Sequence, residues 1–389
     1  MKAGTACVTK KGVDRWKNGQ PWIYAADVES VGPDVQGGDV VRVEDTRGWF
    51  MGQALYSKAS KISLRWLAWD DQPIDADLFE RRLEAAIALR KREYPDDTCY
   101  RVVHGEADQL PGLVVDRFGD YLSVQFLHAG TERRKQLFVD LLTKHFKPKA
   151  IVNRSDANVR HLEGLEPEKG VLTGELPPIV TYREGHVVME VDLLHGQKTG
   201  AFLDQRDNHV RAADYGTGEA LDCFSYAGAF ALQLALKATK VTAVEISESA
   251  CAQITKNAER NKFTNVETVC ANAFDYLRDT LDEGKRFDTV VLDPPSFAKN
   301  KDAIAAATRG YKEINLRAMQ LLNPGGTLIT ASCTHHIDET KFEEMLDSAA
   351  ADSKRRVQII EKRGAGRDHP VLLGLRETRY LKCFVLRVL

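Results

Sequence analysis

The chain has no C-x-x-C pair, no G-x-G-x-x-G loop, no internal repeat and no low-complexity tract. Each absence closes a class. Its seven cysteines, Cys7, Cys99, Cys223, Cys251, Cys270, Cys333 and Cys383, are odd in number and widely spaced, which argues against a disulfide framework and a structural zinc site. A reducing, cytoplasmic compartment is expected, with most thiols serving as small buried hydrophobes. No stretch approaches the roughly 20 apolar residues that span a bilayer, so no membrane partner is expected. Residues 1–12 hold no apolar run long enough for a signal peptide. The formal net charge is only −2 over 389 residues, although 28% of them are charged. Global charge therefore does not announce a nucleic-acid partner, and any such partner must be met by local basic patches. The 43% hydrophobic content suits two or three domains with more than one core.

Residues 1–72 read as short strands broken by turns. Asp39-Val40-Val41-Arg42-Val43-Glu44-Asp45 alternates apolar and polar residues after Gly37-Gly38, and further short runs follow at 48–56 and 61–66. Such spacing signals a small β-barrel. Gly38-Asp39-Val40-Val41-Arg42-Val43 and Ala54-Leu55-Tyr56 make this segment resemble a PUA domain, a pseudo-barrel found on many RNA-modifying enzymes. An SH3-like barrel is the alternative. Residues 73–186 follow a linker at Asp70-Asp71-Gln72-Pro73 and read as a small α+β domain. Leu78, Phe79, Leu83, Ile87 and Leu89 give a helix over 76–91. Strands are expected at 100–104, 113–118, 121–127 and 150–153, with a helix capped by Thr131 running to Phe146.

From 187 to 389 strand and helix alternate, which implies a parallel sheet with crossover helices. The expected fold class is therefore α/β: a C-terminal Rossmann-like sheet behind an N-terminal barrel and a small middle domain. The strand at 220–224 feeds the turn Ser225-Tyr226-Ala227-Gly228 and a helix of small residues. A strand, a glycine turn and a helix start let backbone N–H groups approach a ligand. A lone Gly228 is too sparse for a pyrophosphate. Glu245 ends the next strand, seventeen residues after Gly228, near the roughly 20-residue offset of an acid that binds ribose hydroxyls. A solvated strand end is the alternative for Glu245. Asn272 and Asp275 flank the end of the third strand, where Asn272 can accept from or donate to adenine. The fourth strand ends in Asp293-Pro294-Pro295-Ser296-Phe297. Two prolines stiffen the backbone there and remove donors.

Ser296 intervenes before Phe297, which makes methylation of an exocyclic nitrogen less natural. Carbon 5 of a pyrimidine becomes nucleophilic when a thiolate adds to carbon 6. Cys333 follows a strand predicted to lie beside that of Asp293, so both can face one pocket; a buried structural thiol is the alternative.

His195-Gly196-Gln197-Lys198-Thr199-Gly200, Leu203-Asp204-Gln205-Arg206, Cys223-Phe224-Ser225-Tyr226, Asp293-Pro294-Pro295, Arg309-Gly310-Tyr311-Lys312 and Ser332-Cys333 resemble the bacterial large-subunit ribosomal RNA methyltransferase I family over nearly the whole chain. The resemblance implies a PUA domain, a middle α+β domain and a Rossmann-like domain that binds S-adenosyl-L-methionine. It implies formation of 5-methylcytosine in 23S rRNA, or in a large-subunit precursor, and leaves a homodimer open. It further implies that Cys333 attacks C6 while Asp293 acts on the N3 side of the base. The cofactor set it suggests is Asp204, Gln205, Arg206, Cys223, Phe224, Ser225, Tyr226, Gly228, Glu245, Ile246, Asn272, Ala273 and Asp293. The substrate set is Lys198, Pro294, Pro295, Phe297, Lys299, Arg309 and Lys312. Further phosphate contacts are open at Lys10, Lys11, Arg15, Lys17, Arg133, Arg134, Lys135 and Lys301, and base stacking at Trp16, Trp22 and Tyr24. The alternatives are a guanine-directed rRNA methyltransferase, a non-catalytic RNA-binding or assembly factor that keeps the cofactor, and a small-molecule methyltransferase.

Overall fold

A computed structural model of the chain describes residues 4–298 and 301–389. Lys299 and the side chain of Lys301, both proposed at the substrate edge, lie outside the described residues. The chain divides into two compact units. The first comprises Met1–Tyr182, Val191–Leu203 and Arg367–Thr378; the second comprises Arg183–Glu190, Asp204–Gly366 and Arg379–Leu389.

The first unit holds two sheets. Strands β1 (Thr5–Val8), β2 (Trp22–Tyr24), β3 (Val28–Val31), β4 (Val40–Asp45), β5 (Phe50–Tyr56) and β6 (Ile62–Ala68) form one of them, in the order β2-β6-β5-β4-β1-β3. All its pairs are antiparallel except β1–β4. The alternation read in β4 is real: Val41, Val43 and Asp45 turn inward, and the two valines join Val8, Ala54 and Leu64 in a core. Trp16 lies in that core too, 7% exposed, so it packs rather than stacks on a base. Nε1 of Trp22 donates to Glu106 at 2.8 Å, and the Arg15 guanidinium covers the ring of Tyr24.

The second sheet orders β7 (Cys99–His104), β8 (Leu113–Phe118), β9 (Tyr121–Phe126), β10 (Ala150–Ser155) and β11 (Glu168–Gly174) as β11-β10-β9-β8-β7. The helix Ala76–Glu93 begins where the Asp75 carboxylate accepts from the amide of Leu78 at 3.0 Å. Its Phe79 and Leu83 pack with Phe126, Phe138 and Leu142, and with Leu55 and Leu67 of the first sheet. One core thus serves both sheets of this unit. Arg65 adds a polar tie between Glu106 at 2.5 Å and Glu163 at 3.2 Å.

The helix expected from Thr131 is broken. A short turn of helix, Ala129–Glu132, precedes the main one, Lys135–Phe146. Thr131 is not its cap. Its hydroxyl donates to the carbonyl of His128 at 2.9 Å, while His128 Nδ1 accepts from the amide of Gly130. Arg133 pairs with Asp39, Arg134 donates to the carbonyl of Gly38, and Lys135 pairs with Glu132 and Glu168. The basic cluster read as a phosphate contact is therefore engaged within its own unit.

The chain passes between the units along the hairpin of β12 (Val180–Glu184) and β13 (Val187–Val191). The second unit is a seven-stranded sheet of β14 (Glu219–Cys223), β15 (Lys240–Glu245), β16 (Val266–Cys270), β17 (Phe287–Leu292), β18 (Leu322–Ser332), β19 (Val357–Arg363) and β20 (Lys382–Val388). The order is β16-β15-β14-β17-β18-β20-β19. The first five strands pair parallel, as the alternation predicted, and β20 runs antiparallel to both neighbours. The chain leaves β14 for β15 on one side and returns to β17 on the other. Ligands of open α/β sheets bind outside the carboxyl ends of the strands at such a reversal.

Candidate active site

Cys223, Glu245, Leu292 and Ser332 end β14, β15, β17 and β18 at the same edge of the sheet. The turn after β14 is sharply wound. Phe224, Tyr226 and Gly228 all take positive φ, at 64°, 49° and 86°. Left-handed backbone in non-glycine residues costs about 1–3 kcal/mol each and gathers at functional sites. Two carboxylates hold the turn. Asp222 Oδ2 accepts from the amide of Ala231 at 3.0 Å. Glu245 accepts from the amides of Tyr226, Ile246 and Ser247 at 2.8–3.0 Å. Ser225 donates its hydroxyl to the Asp222 carbonyl at 2.8 Å.

Asp222 is 1% exposed, and its Oδ1 has no partner although it is buried. Burial raises its pKa to about 7, and the charge of Asp293 adds to the rise. An orphaned buried carboxylate oxygen under a strained turn fits a ligand with donor groups. A Cβ at Gly228 would stand 3.2 Å from Ile254, so the turn packs against that side chain too closely to take a larger residue. Ile246 is 66% exposed beside Glu245, an apolar surface next to a carboxylate. Asn272 accepts from the amide of Phe274 at 2.9 Å as a helix cap, so its remaining offer to a ligand is the amide N–H. Ala273 is buried directly behind it.

On the other side of the reversal Gln205 donates to Asp293 Oδ1 at 2.8 Å. Asn208 donates to Gln205 at 2.6 Å, and Arg363 donates to Asn208 at 2.8 Å. This chain of bonds fixes the Asp293 carboxylate. Asp204 accepts from the Tyr380 hydroxyl at 2.7 Å, and Arg206 pairs with Asp207 at 2.9 Å. Burial pushes the Cys223 thiol well above the ordinary range, so it is a packing residue.

Cys333 is half-buried immediately after β18. Thr334 next to it is fully buried, with Oγ1 2.9 Å from the Tyr311 hydroxyl and 3.1 Å from the Ser296 hydroxyl. The two loops, one after β17 and one after β18, are thus tied together.

Known proteins resemble the chain over its whole length. Residues 7–69 match a PUA-like domain and residues 206–364 a methyltransferase domain. The chain is 40% identical over 388 residues to ribosomal RNA large subunit methyltransferase I of Aliivibrio fischeri, covering 97% of this chain and 98% of the relative. The protein of the same name in Vibrio cholerae is 41% identical over 390 residues, at the same two coverages. The chain belongs to the ribosomal RNA large subunit methyltransferase I family.

The fold agrees. The crystal structure of SMU.776, assigned as a methyltransferase and complexed with SAH, superposes with a TM-score of 0.85 at 21% identity, covering 99% of this chain and 100% of that one. A SAM-dependent methyltransferase assignment from Streptococcus mutans follows at a TM-score of 0.83 and 19% identity, with the same coverages. S-Adenosyl-L-methionine, the cofactor expected from the sequence, is the donor whose demethylated form is bound in the first of these.

The structure brings Asp222, Glu245, Gln205, Asp293 and Cys333 to one edge of one unit. The substrate set is less uniform. Pro294 is buried and Pro295 exposed. Phe297 packs 4.6 Å from the ring of Tyr311 and 5.8 Å from that of Phe274, so it belongs to an aromatic cluster under the site. Lys312 pairs with Asp352 at 2.6 Å, whereas Arg309 is exposed on the helix Ile304–Leu321. Lys198 lies in the first unit, with Nζ 4.3 Å above the Phe202 ring.

Sequence reading missed Asp222, Asn208, Thr334 and Lys382. Asp222 carried a signal, an acid inside an apolar strand. The other three depend on contacts between elements distant in the sequence.

Proposed function

We propose that the protein transfers the methyl group of S-adenosylmethionine to carbon 5 of a cytosine in 23S ribosomal RNA, with Cys333 as nucleophile. The observation that carries this reading is the thiol of Cys333 placed just beyond β18, at the strand-end edge that also holds Asp293. The relatives at 40–41% identity are ribosomal RNA large subunit methyltransferases, which supports large-subunit RNA as the substrate.

S-Adenosylmethionine supplies an electrophilic methyl group on a sulfonium. Its holders are the Phe224–Gly228 turn, Asp222, Glu245, Ile246 and the Asn272 amide. The Cys333 thiolate adds to C6 of cytosine, forming a C–S bond and pushing the C5=C6 electron pair onto C5. Asp293, oriented by Gln205, stabilises the N3 side of the ring. C5 takes the methyl group as the sulfonium–methyl bond breaks and leaves its electron pair on sulfur. A base then removes the C5 proton, the electron pair reforms C5=C6, and the C–S bond breaks to release Cys333. Ser296 stands where another group of RNA cytosine methyltransferases carries a second cysteine, so release uses one thiol. Residues 1–72 act as the RNA-binding module, 73–186 as the middle domain and 187–389 as the catalytic domain.

The test incubates the protein with labelled S-adenosylmethionine and unmethylated 23S rRNA and identifies the labelled nucleoside. 5-Methylcytidine is expected, and Cys333→Ala is expected to lose at least about 1,000-fold in rate while keeping cofactor affinity. Recovery of methylguanosine, or full activity in Cys333→Ala, overturns the mechanism.

A further inference from the structure

Lys382 is a lysine inside a sheet. It opens β20, in register opposite Ser332, the residue before Cys333. Only 4% of it is exposed. Its ammonium donates to the carbonyl of Thr334 at 2.8 Å and to that of Tyr380 at 2.8 Å. The residues on both sides of Cys333 are therefore fixed to Lys382: Ser332 through the strand pairing and Thr334 through the ammonium. Both acceptors are neutral carbonyls, which satisfy N–H groups without balancing a buried positive charge.

The balancing charge comes from close by. Burial lowers the pKa of Lys382 to about 8, and the Cys333 and Asp338 charges oppose that fall. Attraction is reciprocal, so an ammonium that gains from a neighbouring thiolate also favours the thiolate. The remaining groups do not replace it. The Tyr311 pKa is raised by burial, which keeps its phenol neutral, and the phenol sits 2.9 Å from Thr334 Oγ1. Asp293 and Asp338 are acids and disfavour a thiolate. The His335 ring lies 5.7 Å from that of Tyr380.

We propose that Lys382 is the positioning residue of Cys333: its buried ammonium fixes the backbone on either side of the nucleophile and stabilises the thiolate form. The proposal rests on Cys333 as nucleophile. It explains why a cation is placed in a strand that is otherwise apolar from Leu381 to Leu386.

The experiment measures alkylation of Cys333 by iodoacetamide against pH in the full-length protein without RNA, quantified on the Cys333 peptide by mass spectrometry. Exposed Cys270 reacts as well and is resolved as a separate peptide. In the parent protein the Cys333 midpoint is expected below the value of about 8.5 for a free thiol. In Lys382→Met it is expected to rise by about one unit or more, and Lys382→Arg restores part of the shift. In RNA assays at pH 7 Lys382→Met lowers kcat with KM little changed, and the loss shrinks as pH rises. A parent midpoint at or above that of a free thiol overturns the proposal, and this reading needs no variant to fold. An unchanged midpoint in folded Lys382→Met overturns it equally. Full activity in Cys333→Ala sinks the nucleophile reading instead, while the alkylation profile still reports whether the lysine and thiol are coupled.

Discussion

Gly228 shows what a single position contributes to the site. Its φ of 86° is left-handed, and a Cβ there would meet Ile254 at 3.2–3.3 Å. An L-residue in that conformation costs about 1–2 kcal/mol before any clash. Gly228→Ala is therefore expected to lower stability by about 1–2 kcal/mol, read from urea denaturation. It is also expected to weaken S-adenosylmethionine binding, read by calorimetry, because the turn must shift to relieve Ile254. Unchanged stability would mean that the turn relaxes freely. Phe224 and Tyr226 carry the same handedness without being glycine. Nothing in their side chains announces it. The left-handed conformations follow from a turn held at Asp222 and Glu245.

At the scale of elements, β14 carries a buried acid whose titration is coupled to folding. The folded pKa of Asp222 is about 7, raised by burial, against an ordinary value of 3.8. A group that holds its proton more tightly when folded contributes stability that is fully present below 3.8 and is lost as pH rises through about 7. Asp222→Asn keeps an acceptor for the Ala231 amide and cannot ionise. Between pH 4 and about 7 the variant is expected to lose less stability than the parent, and above that the two curves run parallel. Denaturation midpoints at a series of pH values check this, and an identical slope in both proteins would contradict it. Much of the site was legible in strand order. The ends of β14, β15, β17 and β18 were each placed within a residue or so by apolar runs followed by turn residues. The partnership of Gln205 with Asp293 was not, because 88 residues separate them and only the fold sets their 2.8 Å contact.

For the whole molecule, the division into two units is the main departure from a purely linear reading. The barrel and the middle sheet share a hydrophobic core in the first unit, and Arg65 reaches from β6 to Glu106 and Glu163. Removing one partner from a buried ion group leaves the others uncompensated, at about 3–5 kcal/mol. Arg65→Ala is expected to destabilise the first unit by about 3 kcal/mol. The barrel and the middle sheet should then lose structure in a single transition. Calorimetry checks both, and separate melting of residues 1–72 would contradict the shared core. The same unit engages Arg133, Arg134 and Lys135, which looked like RNA contacts, whereas Lys10, Lys11 and Lys17 stay exposed. Arg134 donates to two carbonyls and lies above Phe79, and burial lowers its pKa. A cluster of cations in sequence is thus no measure of a cationic surface, because a long side chain can reach its partner from many positions.

The sequence by itself determined the elements and their kind. Apolar periodicity and turn residues act over a few positions, so β4, β5 and β6, the parallel α/β half, the Gly228 turn and the Asp293-Pro294-Pro295 strand end were readable from local order, whereas the short β1, β2 and β3 were not. Tertiary structure decided what those elements share. It gave Asp222 its unpaired oxygen, took Lys312 into an ion pair with Asp352, and moved Thr131 from cap to internal partner. It also set Lys382 across from Ser332, 50 residues away, by antiparallel pairing of β20 with β18. Burial and charge pairing depend on distance in space. Sequence fixes such distances only within an element, and the packing of one element on another fixes the rest.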